Sequence, residues 1–185
     1  MPFGSLWLPV IVAAVAVFMA SFVLHMLLKY HKADYRPLPN EDAVRGSLGG
    51  GIAPGVYFTP HCPDMKQMNE PAVREKFEKG PVAVVTVMPS GAPTMGKHLT
   101  IWFGFTLLVS FVSAYVARQT LMPGADGLLV LRVTGTVAFA AYAVGRITDS
   151  IWKGQPWANT LRELIDGGVY ALVTGLTFLL LWPSA

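Results

Sequence analysis

Four stretches of this chain, residues 6–28, 99–117, 127–145 and 164–182, are apolar over about the twenty residues that a helix needs to cross a hydrocarbon core roughly 30 Å thick. Backbone amides in lipid have no water to bond, so stretches of this kind are helices. Hydrophobic residues make up 53% of the 185 positions and the mean hydropathy is +0.48, too apolar for a soluble fold of this size. The expected fold class is an all-α membrane protein: four transmembrane helices with a small α+β insert between the first and second.

Charge gives this arrangement a direction. All but Arg118 and Arg132 of the fourteen Lys and Arg residues fall within 29–97 or 146–162, the connections after the first and third helices. Positive charge near helix ends marks the cytoplasmic side. The expectation is an inner-membrane protein of a bacterium, multi-pass, with both termini on the non-cytoplasmic side. Residues 1–28 form the first transmembrane helix, 29–98 a cytoplasmic insert, and 99–185 the other three helices with short connections. The first apolar stretch is followed, not preceded, by basic residues (Lys29, Lys32), the wrong polarity for a cleaved signal peptide. Trp7, Tyr30, Trp102, Trp152, Trp157 and Trp182 fall near the expected membrane interfaces, as an aromatic belt does. The net charge of +3 is small and borders the membrane, so it speaks for anionic headgroups and against nucleic acid. Cys62 is the single cysteine and precludes an internal disulfide.

Within the insert, Asn40 followed by Glu41 and Asp42 reads as a helix N-cap with first-turn acids, and Gly49-Gly50-Gly51 as its stop. Residues 55–59 and 82–87 are β-rich runs bounded by Pro and Gly. Between them, Asn69-Glu70-Pro71 opens a charged helix that reaches Glu78. Pro89, Gly91 and Pro93 make the return to the second span. Small residues recur at helical spacing in the spans: Ser110, Ala114 and Ala117; Ala138, Ala141 and Gly145; Gly167, Ala171 and Gly175. Such stripes let helices approach closely in lipid.

Several residues have chemistry to offer. His61, Cys62, Met65 and Met68 form a soft-donor cluster of the kind that suits Cu(I), although a capped turn with packed methionines accounts for it as well. His25 and His98 fall near the same end of the first and second helices, where a pair of imidazoles would reach a haem or the headgroups. Arg132 is charged and inside a span, reaching the headgroups or pairing with Asp126 unless it serves a substrate. Arg146 and Asp149 are three apart on a helix, with Asp166 as a cross-helix partner, and read as a polar clasp. No nucleophile elbow, phosphate loop or histidine-centred metal motif is present, so nothing in the sequence points to an enzyme, and no cofactor is expected.

Leu24-His25-Met26-Leu27-Leu28-Lys29-Tyr30-His31, Leu38-Pro39-Asn40-Glu41-Asp42, Ala53-Pro54-Gly55-Val56-Tyr57, Gly80-Pro81-Val82 and Ile151-Trp152-Lys153-Gly154-Gln155-Pro156-Trp157 together resemble a group of small four-helix bacterial inner-membrane proteins with no assigned activity. The resemblance implies bacterial origin and four spans, and no site residue. The expected role is that of a structural or accessory subunit in the lipid bilayer, associating with itself or with a larger membrane complex. The alternative is a small transporter or metal-handling protein. On the expected topology, a membrane-impermeant thiol reagent labels Cys62 only after cells are opened; labelling in intact cells reverses the sidedness.

Overall fold

The computed structural model describes residues 3–49, 51–92 and 94–184. Gly50 and Pro93, placed in turns by the sequence reading, lie outside them. The chain forms two compact units, one of Met1–Tyr35 with Thr94–Ala185 and the other of Arg36–Pro93. The insert unit is therefore narrower than the 29–98 loop, because residues 29–35 fold with the helices.

In chain order the elements are α1 (Trp7–Phe22), α2 (Glu41–Leu48), β1 (Gly55–Thr59), α3 (Pro71–Lys79), β2 (Ala83–Val87), α4 (Met95–Thr120), α5 (Gly127–Tyr142), α6 (Ile147–Lys153) and α7 (Trp157–Leu181). Four helical segments are long and apolar enough to cross a membrane: Gly4–Leu27, Met95–Thr120, Gly127–Lys153 and Trp157–Leu181. This is a multi-pass membrane protein. Leu8, Ile11, Val15, Met19 and Phe22 on α1 and Ile101, Leu108 and Val112 on α4 face outward, an apolar exterior that suits hydrocarbon and not water.

The third and fourth spans depart from the 127–145 and 164–182 windows. The third continues past a break at Ala143 through a 3-10 turn (Val144–Arg146) into α6, which ends on a left-handed glycine, Gly154. The fourth begins at Trp157, directly after Pro156, so Asn159 and Thr160 lie inside its first turn instead of capping it. Thr160 Oγ1 instead meets Ser150 Oγ at 2.5 Å and accepts from Gln155.

In the helical unit α1 packs on α4 and α7, and α5 on α4 and α7. One apolar cluster, with Leu6, Val10, Ala117, Leu121, Val130 and Phe178, fills one end. A second, with Val17, Leu24, Val109, Tyr142 and Tyr170, fills the other. The closest approach is α5 to α7. A Cβ added at Gly167 would lie 2.6 Å from that of Ala143, and one at Gly175 3.0 Å from the Leu131 carbonyl oxygen. The small-residue stripe of α7 is thus consumed inside the bundle. On α5 the residues that meet it are Leu131, Gly135 and Ala143. Ala138 is buried, but Ala141 and Gly145 are exposed: Ala141 lies on another side of α5, and Gly145 falls in the 3-10 turn beyond its end.

In the insert unit β1 and β2 pair antiparallel, from Gly55 opposite Val87 to Thr59 opposite Ala83. Helices α2 and α3 match their sequence signals. Asn40 makes no side-chain cap and takes a left-handed conformation instead, with φ 55°, a geometry that asparagine tolerates better than most residues.

Gly167→Ala is expected to lower thermal stability in detergent by about 1–3 kcal/mol through overpacking. Gly145→Ala, with open space around it, stays within about 0.5 kcal/mol. Equal effects would refute the α5–α7 contact.

Candidate metal centre

The last turns of the first span do not continue as an α-helix. Val23–Leu27 is a π-helical turn, closed by the Leu28 amide on the Val23 carbonyl at 3.2 Å. Lys29 then takes a left-handed conformation, φ 53°, at a cost of roughly 1–2 kcal/mol for a non-glycine residue. A 3-10 turn, Tyr30–Ala33, follows. π-turns and left-handed residues cluster at functional sites because each re-aims a side chain. Here they bring His25 and His31 face to face, rings stacked at 4.5 Å and 3°, and turn both toward Asp166 on α7.

Asp166 is 4% exposed, a carboxylate within a membrane-spanning helix, where charge is expensive and is retained for function. Its Oδ1 accepts a hydrogen bond from the Tyr30 hydroxyl. Its Oδ2 lies 2.8 Å from His31 Nε2 and 3.6 Å from His25 Nε2. The three donor groups lie within 4.8 Å of one another.

The outer partners fix which ring nitrogens carry hydrogen. His25 Nδ1 sits 3.1 Å from the Ser21 carbonyl oxygen, which only accepts, so Nδ1 donates. His31 Nδ1 sits 2.5 Å from Asp34 Oδ2, and Asp34 also accepts from Arg162 Nη1 at 2.5 Å, so its carboxylate takes the Nδ1 hydrogen too. In the neutral rings both Nε2 atoms therefore present lone pairs to Asp166 Oδ2. His25 Nε2, His31 Nε2 and Asp166 Oδ2 thus cluster within 4.8 Å of one another, and either a proton on His31 Nε2 or a metal cation among the three atoms offsets their mutual repulsion. With both rings neutral, Asp166, Asp34 and Arg162 sum to one negative charge, which also favours a cation.

Helix α7 supplies the rest of the framework. Asn159, Arg162 and Asp166 lie on one face at helical spacing. Asn159 Nδ2 donates to the Asp34 carbonyl oxygen at 3.2 Å and Arg162 Nη1 to Asn159 Oδ1 at 3.1 Å. They clamp the turn after the first span against α7. Behind it, Trp102 Nε1 donates to Ser21 Oγ at 2.9 Å, and the Trp102 ring lies 5.9 Å from Tyr170 and 6.2 Å from Tyr142.

The residues singled out in the sequence are distributed differently from expectation. Among the described residues His25 makes no contact with His98; its partner is His31, and His98 is exposed at the start of α4. Arg146 reaches Asp149 at 3.7 Å and, across helices, Glu163 at 3.7 Å, not Asp166. Arg132 is exposed and forms no ion pair among the described residues, while Asp126 caps α5 by accepting from the Leu129 amide. The 61–68 segment is a capped turn: Asp64 accepts from the Lys66 amide, the Cys62 thiol faces the Asp64 carbonyl, and Met65 is exposed. His61 lines an open groove with Lys76 and Lys79, a cationic surrounding that disfavours a metal ion. Tyr30, His31, Asp34 and Arg162 were not singled out as site residues. Their signal was present as Asn159, Arg162, Asp166 and Tyr170 at helical spacing, an acid inside a span, and a Tyr-His-x-x-Asp run just after another span.

No known protein family matches this chain, and no curated protein or solved structure does.

Asp34→Ala removes the acceptor shared by Arg162 and His31, both less than one-third exposed. It is expected to lower stability by about 2 kcal/mol in a detergent melt. Asp42→Ala, whose partner Arg45 is in open solvent, is expected to leave the melt unchanged. A silent Asp34→Ala would mean that the clamp does not hold the turn.

Proposed function

We propose that this protein is a metal-handling membrane protein that binds one divalent first-row transition ion, of the Zn2+ type, through His25 Nε2, His31 Nε2 and Asp166 Oδ2. The observation that carries this reading is the outer shell. Each histidine donates its Nδ1 hydrogen to a fixed oxygen acceptor, Ser21 O or Asp34 Oδ2, the device by which metal-binding histidines hold their second nitrogen bare and aimed. Tyr30 orients the carboxylate in the same way. A proton between His31 and Asp166 joins two of the three atoms; a metal ion would join all three once the stacked rings turn their Nε2 lone pairs toward it. Two imidazoles and a carboxylate suit Zn2+ and its neighbours better than Mg2+ or Ca2+.

The packed interior, with α5 and α7 in backbone contact and Arg132 outside, supports a binding or accessory role over a transport path. The lysines and arginines at the ends of the first and third spans support a cytoplasmic insert and non-cytoplasmic termini. A bacterial inner membrane is the setting that fits the sequence resemblance.

Elemental analysis of the full chain, purified in mild detergent without chelator and offered Zn2+, is expected to find one ion per chain. Asp166→Asn and His31→Ala lose it, and Asp34→Asn weakens binding by about 10–100-fold through the outer shell. A wild-type protein that retains no ion after exposure to Zn2+, Co2+ or Fe2+ overturns the proposal.

A further inference from the structure

Among the described residues, two tyrosine hydroxyls near this centre lack a hydrogen-bond partner. Tyr142 and Tyr170 are 7% and 4% exposed, and among the described residues neither hydroxyl has a hydrogen-bond partner. A buried hydroxyl left unpaired is a standing cost, and proteins retain one where a water, an ion or a ligand completes it. The third polar group of the same aromatic cluster, Trp102 Nε1, is already committed to Ser21.

Tyr170 follows Asp166 by four residues on α7, so the two share a face. Side chains of a helix lean toward its N-terminus, which carries the Tyr170 ring back over the Asp166 turn. Both Asp166 oxygens are already engaged, Oδ1 by Tyr30 and Oδ2 by the histidines. The Tyr170 hydroxyl is thus an unpaired donor on the Asp166 face of α7. Tyr142 stands edge-on to Tyr170 at 5.4 Å, but its own helix runs the opposite way and its side chain leans toward the other end of the bundle.

Three protein donors do not close a tetrahedral centre. Structural zinc sites use four, whereas sites that bind external ligands use three and keep one position exchangeable. His25 is about half-exposed and opens the centre on one side, while Trp102, Tyr142, Tyr170 and Tyr30 pack in one apolar cluster. Resting on the metal reading above, we infer that the bound ion keeps one exchangeable position for a small oxygen- or nitrogen-donor ligand, water or hydroxide at rest and a small monoanion in exchange, and that Tyr170 donates a hydrogen bond to it. The centre is then a Lewis-acid site open to ligands, not a closed structural one.

The test uses the full chain in detergent, loaded with Co2+, whose visible spectrum reports coordination, and titrated with azide. Wild type is expected to show a saturable spectral change. Tyr170→Phe keeps one Co2+ per chain and binds azide about tenfold more weakly, whereas Tyr142→Phe, which removes an equally buried hydroxyl, stays within about twofold of wild type. Three results overturn the inference while leaving the metal site standing: no spectral response of wild type to azide, unaltered azide affinity in Tyr170→Phe, or an equal loss in both variants. Failure of the wild-type chain to take up Co2+ overturns the metal reading itself.

Discussion

A single carboxylate within an apolar helix governs this half of the molecule. Asp166 is almost fully buried, and leaving it uncompensated in a low-dielectric surrounding costs several kcal/mol. The chain resolves this by ending the first span early. A π-turn, a left-handed lysine and a 3-10 turn fold residues 29–35 back along α7, so that Tyr30, His31 and His25 all reach the one acid. Asp34, brought along by the same turn, needs its own compensation and finds it in Arg162. The order from Arg162 through Asp34 and His31 to Asp166 is plus, minus, imidazole, minus, with the imidazole placed between the two carboxylates.

The rest of the bundle makes this geometry rigid. Lipid gives helices no hydrophobic reason to associate, so close packing must do so. Gly167 and Gly175 let α7 approach α5 to backbone contact, and Gly167 stands next to Asp166. The contact that fixes α7 against α5 therefore also fixes the depth and rotation of the acid. Trp102 ties α4 to α1 through Ser21, the residue whose carbonyl orients His25. Packing and site share residues, and a disturbance of one reaches the other.

Much of the architecture was legible in the chain. Apolar length gave four spans, and Pro, Gly and β-branched runs gave the insert elements nearly to the residue, since these signals depend on local sterics and hydration. The stripe on α7 was legible for the same reason. Its partner face on α5 was not: Leu131, Gly135 and Ala143 meet α7 in place of Ala141 and Gly145, because which face turns inward depends on what the neighbouring helix presents. Asp166 was noticed and given the wrong partner. Arg146, expected opposite it, meets Glu163, because helical rotation directs 163 and 166 to different neighbours.

The sequence by itself determined where the chain can sit, as that follows from transfer free energies summed over short windows and from charge next to them. It also carried every atom of the His25–His31–Asp166 centre. Only the tertiary structure decided that these atoms meet, since residues 31 and 166 are brought together by a left-handed turn and by helix packing, which are contacts between distant parts of the chain and leave no periodic trace in either part alone.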